Sequence, residues 1–98
     1  MRLLGIWRSK DSKYSLSIEA GEGNDYSIKL SIPIAKEEIS GVLKNGQLAN
    51  LNYEVNEKAV FVYLFVEQAN PSEILIKGTG RSTGRYKGDI PETSLFKV

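Results

Sequence analysis

Histidine and cysteine are both absent from these 98 residues, so general acid–base chemistry falls to carboxylates, lysines and tyrosines. Candidate acid pairs are Glu37 and Glu38, Glu54 and Glu57, and Asp89 and Glu92. Each pair sits in a turn-like stretch, where neighbouring carboxylates are ordinarily solvated. A serine nucleophile would find no imidazole to take its proton. Sulfur-based zinc sites are excluded, and no calcium-loop spacing occurs. The expectation is a non-enzymatic protein with no cofactor and no metal.

Binding chemistry has better candidates. Val60, Val62, Leu64 and Val66 alternate with Phe61, Tyr63 and Phe65, so a strand here is apolar on both faces. One set can face a core, but a contiguous aromatic patch on the other is seldom left in water. Phe61, Tyr63 and Phe65 are therefore candidates for an interface. Their cover would be the C-terminal segment with Leu95, Phe96 and Val98, or a second copy in a homodimer, with an aromatic-lined ligand pocket as the third alternative. From Ile74 to Gly88 there are four cations, Lys77, Arg81, Arg85 and Lys87, and no acid. Gly78, Gly80, Gly84 and Gly88 lie among them, so backbone N–H groups could form an anion nest. With Tyr86 as a stacking platform, this stretch could hold single-stranded nucleic acid. No P-loop spacing follows, and 13 basic against 12 acidic residues, a formal charge of +1, count against a nucleic-acid partner.

The elements that must position these groups have period two. Tyr14, Leu16, Ile18 and Ala20 alternate with Ser15, Ser17 and Glu19, and Tyr26, Ile28, Leu30, Ile32 and Ile34 alternate with Ser27, Lys29, Ser31 and Pro33. Each is a strand with one buried and one wet face, joined across Gly21–Asp25. Upstream, Leu3 to Ser9 predicts a short first strand. Downstream, Ile39 to Lys44 leads through Asn45-Gly46, a tight-turn signal, into Gln47 to Val55. Ala59 to Val66, Glu73 to Thr79 and a brief Arg85 to Lys87 complete seven or eight runs. Connections this short favour sequential antiparallel pairing. The fold class is all-β, an up-and-down meander closed into a small barrel, with a β-sandwich as the alternative.

Gly5-Ile6-Trp7, followed after a polar turn by Tyr14-Ser15-Leu16-Ser17-Ile18, resembles the opening of the calycin superfamily, which includes lipocalins, fatty-acid-binding proteins and avidins. The resemblance implies a lipocalin-like barrel in which Trp7 crosses the floor beneath an arginine or lysine of the last strand, here Arg85 or else Arg81. The residues themselves point the same way. Gly5 admits a close backbone or large ring, and a lone tryptophan at a barrel end plugs the core with a cation on its face. Gly5, Trp7 and Arg85 are the expected closure.

Three functions follow. A calycin-like barrel would hold a hydrophobic or amphipathic small molecule against walls formed by Tyr26, Ile28, Leu30, Leu51 and Tyr53. A barrel with a filled core would instead act through Phe61, Tyr63 and Phe65 as an inhibitor or assembly module. The third is the nucleic-acid reading of the 77–87 stretch. A hydrophobic content of 41% with 26% charged residues suits one globular domain over residues 1–98. No apolar run reaches the roughly 18 residues of a membrane helix. The compartment is expected to be cytoplasmic if Met1 is the native start, and extracytoplasmic if a signal peptide was removed.

Overall fold

The computed structural model describes residues 3–33, 37–44, 47–55, 57–82 and 89–98, with backbone only at 55 and 82. Eight strands follow one another: β1 (Gly5–Arg8), β2 (Ser15–Ala20), β3 (Tyr26–Ser31), β4 (Ile39–Lys44), β5 (Leu48–Val55), β6 (Lys58–Asn70), β7 (Glu73–Ser82) and β8 (Ile90–Lys97). Each pairs antiparallel with the next, and β8 returns to pair with β1, so the meander closes into a barrel. The seam between β8 and β1 is short, with Trp7 opposite Lys97 and Arg8 opposite Phe96. Closing the barrel pairs β8 with β1, which is how a chain of hairpins limits its free sheet edges.

The period-two pattern becomes an inward set that stays in register around the wall. Trp7 lies opposite Leu16, Leu16 opposite Leu30, and Leu30 opposite Ile39. Across the other side Leu51 meets Val62, Val66 meets Ile76, and Ile74 meets Leu95. Among the described residues nineteen apolar ones form this core, none more than 4% exposed. Each large aliphatic side chain so buried contributes about 1.5–3 kcal/mol against the ordering of the chain. Gly41 and Gly78 let the walls come close. A Cβ on Gly78 would stand 2.8 Å from Val62 Cγ1, and one on Gly41 would overlap Leu51 Cδ2.

Two irregularities set the shape of the longest hairpin and of the last strand. Between Gln68 and Asn70 the β6–β7 register slips by one residue, leaving Ala69 unpaired. Between Ile76 and Gly78 the partner strand advances from Thr93 to Ile90, so β8 carries an extra residue at Pro91–Glu92. A bulge is where a strand tolerates a proline, because the ladder is already interrupted there.

The C-terminal segment corrects one expectation. Leu95 is a core residue of β8, and Phe96 and Lys97 pair with β1. This segment is the eighth strand and does not fold over the aromatic face of β6. The expected final strand at Arg85–Lys87 lies outside the described residues. Pro91, Thr93 and Ser94 interrupt the apolar alternation of β8, which hid it as a strand.

Candidate functional site

One end of the barrel is closed by the first residues of the chain. Trp7 is wholly buried, and its indole Nε1 donates to the Leu3 carbonyl at 2.8 Å. Lys97 reaches over the ring, with Nζ 4.7 Å from the ring centroid, and donates to the Leu4 carbonyl. The segment 3–4 is thus tied across the mouth from below and above. Gly5 has φ +130°, and a Cβ there would stand 2.5 Å from Lys97 Nζ. The Lys97 end could move aside, but that backbone conformation strains any residue other than glycine. The cation over Trp7 is therefore Lys97 of the last strand. Arg81 is exposed on β7 opposite Phe61, and Arg85 lies outside the described residues.

The expected ligand walls are packed against the rest of the core. Ile28, Leu30 and Leu51 are 0, 0 and 1% exposed and belong to the packed core. Tyr26 and Tyr53 are partly buried and pack on the core from its margins. Beside Tyr53, Glu37, Glu38 and Glu54 line an open groove of about 560 Å³. Among the described residues no cluster of three acidic side chains is placed to hold a metal ion. Asp89 has a structural role: its carboxylate accepts the Gly80 N–H at 3.0 Å. No helix of the described residues is long and apolar enough to cross a membrane.

The outer face that exposes the most aromatic surface is that of β5, β6 and β7. Phe61, Tyr63 and Phe65 project from β6 and remain 48, 53 and 43% exposed. Register places a row across each ring: Asn52, Phe61 and Arg81; Asn50, Tyr63 and Thr79; Leu48, Phe65 and Lys77. Except for half-buried Leu48, all of these flanking residues are exposed. Neighbouring strands lie about 4.8 Å apart, so each ring is within side-chain reach of its partners in the row. At the Phe65 end the face runs into a groove of about 340 Å³ between Gln47, Gln68, Lys77 and Glu92. Alternation alone marks the rings, and also marks Asn50 and Asn52 as wet. That Arg81 and Lys77 stand beside the rings depends on pairing register.

No family model, curated protein or solved structure matches the chain.

Proposed function

We propose that this protein is a non-catalytic binding module: a small calycin-like barrel with a filled core that docks a partner on the outer face of β6. The observation that carries the reading is the exposure of three consecutive outward rings, Phe61, Tyr63 and Phe65, in the middle of the wall. Rings of this size each carry a large apolar area that a partner can remove from water, and the flanking strands supply polar groups to orient it. The tryptophan and lysine at the closed end support the calycin resemblance as architecture. An enclosed hydrophobic ligand is the weaker reading, because Ile28, Leu30 and Leu51, the walls where it would lie, belong to the packed core.

Site-specific photo-crosslinking tests the reading. A benzophenone amino acid replaces Tyr63 in cells producing the full chain, and in a control replaces Glu19, which is exposed on β2. Adducts from position 63 and none from position 19 are expected, whatever the captured molecule. Equal yields from the two positions, or none from position 63, would overturn it.

A further inference from the structure

We propose that the occupant of the docking face is a second copy of this chain, packed face to face about a two-fold axis that runs along β6; this rests on the docking face proposed above. Of the seven large hydrophobic residues exposed among the described ones, four lie on this face: Val42, Phe61, Tyr63 and Phe65. Val42 extends the row of Asn50, Tyr63 and Thr79 on to β4, and Lys44 extends the row of Leu48, Phe65 and Lys77. With strands about 4.8 Å apart and outward rows about 6.8 Å apart, the face from β4 to β8 and from Ala59 to Glu67 has a footprint of about 800 Å². One partner in a standard stable interface buries about that much.

The charges lie around the rings, and the two flanks differ. Lys44 is exposed on β4. The β8 side carries Asp89, whose carboxylate accepts the Gly80 N–H, and Glu92, which shares a groove with Lys77. A polyanion laid along β7 would meet both carboxylates. A two-fold axis along β6 turns the difference between the flanks into pairs, because it sets β4 of one copy over β8 of the other and β5 over β7.

Register then fixes who meets whom. Lys44 faces the partner's Glu92, and Arg81 faces the partner's Asn52 with the partner's Glu54 in the next row. Lys77 lies over the partner's Leu48, with Glu92 of its own chain in the same groove. The rings meet their counterparts at the centre, where packed sheets cross at about 30°. An axis across the strands would instead stack Arg81 on the partner's Lys77 and the β8 carboxylates on one another, which like-charge repulsion opposes. One repulsion stays with the favoured axis: Glu67 faces the partner's Glu67 at the rim, beyond Phe65, where the crossing angle has parted the strands.

Sedimentation equilibrium of the purified full chain, at concentrations up to about 1 mM, tests the proposal. A reversible equilibrium between the 10.9 kDa chain and its dimer is expected. Tyr63→Ala should weaken it by about tenfold or more, as loss of a central aromatic anchor does. Lys44→Glu and Glu92→Lys should each weaken it by about threefold and the double variant should restore it, while Glu67→Gln should tighten it. Thermal melts check that every variant is folded. A chain that stays monomeric throughout, a dimer indifferent to Tyr63→Ala, or a charge swap without recovery would each overturn the proposal. In the cellular crosslinking, position 63 should yield an adduct of twice the chain's mass. If it yields other adducts while the purified chain is monomeric, the docking face stands and this occupant falls. No adduct at all removes the docking face as well.

Discussion

Lys97 covers Trp7: the ammonium on β8 sits 4.7 Å from the centroid of the indole on β1 and also donates to the Leu4 carbonyl. The contact lies on the barrel's shortest seam, where only two residue pairs join the strands. Lys97→Ala should cost about 1–2 kcal/mol from the lost cation–π contact and hydrogen bond. In a domain of this size that lowers Tm by about 4–8 °C for each kcal/mol. Trp7 is the sole tryptophan, so its fluorescence isolates this site: acrylamide should quench it poorly in the native chain and more strongly in Lys97→Ala. Equal quenching in the two proteins would show that Lys97 does not seal the barrel end.

Gly78→Ala should destabilise by overpacking. The added methyl would meet Val62 Cγ1 at 2.8 Å and Ile90 Cβ at 3.2 Å, both held on neighbouring strands. Forcing such a group into a packed core costs about 1–3 kcal/mol. Urea denaturation should then show a double-mutant cycle with a favourable coupling between Gly78→Ala and Val62→Ala, since removing the Val62 methyls makes room for the new one. Additive losses would mean that Ile90 or the backbone, not Val62, limits the space.

Low pH should loosen the β1–β2 turn. The Ser9 hydroxyl donates to Asp11 Oδ1 at 2.6 Å, and the Lys13 N–H donates to the same oxygen at 3.0 Å. Chiefly through Ser9 and then through Lys13, these bonds hold the Asp11 carboxyl below its ordinary value of 3.8. A depressed folded pKa means the contribution is fully present above the unfolded value and is lost as pH falls through the folded one. The Tm gap between the native chain and Asp11→Asn should accordingly be widest at neutral pH and shrink by about pH 3. A gap that does not change with pH would assign the effect to hydrogen-bond geometry rather than to charge.

The meander was legible because apolar inward positions alternate with polar outward ones over short, hairpin-linked runs such as β2 and β3. Ile39–Lys44 has the bounds its alternation predicts, and Tyr26 to Ser31 falls within its predicted run. The last strand was not legible: Pro91 and a bulge break the period, and only Ile90 and Leu95 of β8 are buried. For the same reason Lys97 carried no sign of being the cation over Trp7. The exposed aromatic face was half legible. The doubled apolarity of β6 singled out Phe61, Tyr63 and Phe65, but the Phe61–Arg81 and Phe65–Lys77 pairings depend on a register that passes a bulge at Ala69. A one-residue slip there would have sent Arg81 and Lys77 to the inner face.

Adjacent residues of β6 should differ sharply in what they contribute to stability. Leu64 is wholly buried, while Tyr63 beside it is 53% exposed and points the other way. Leu64→Ala removes core contacts and leaves a cavity, a loss of about 2–5 kcal/mol. Tyr63→Ala removes a half-exposed ring whose cross-strand neighbours are Asn50 and Thr79, and such surface pairs are worth under about 1 kcal/mol. Urea titration of the two variants measures both. If Tyr63→Ala proves as costly as Leu64→Ala, the ring is a structural member of the wall. If it proves nearly neutral, the fold does not need an aromatic side chain there, and its place in the exposed row is left to binding.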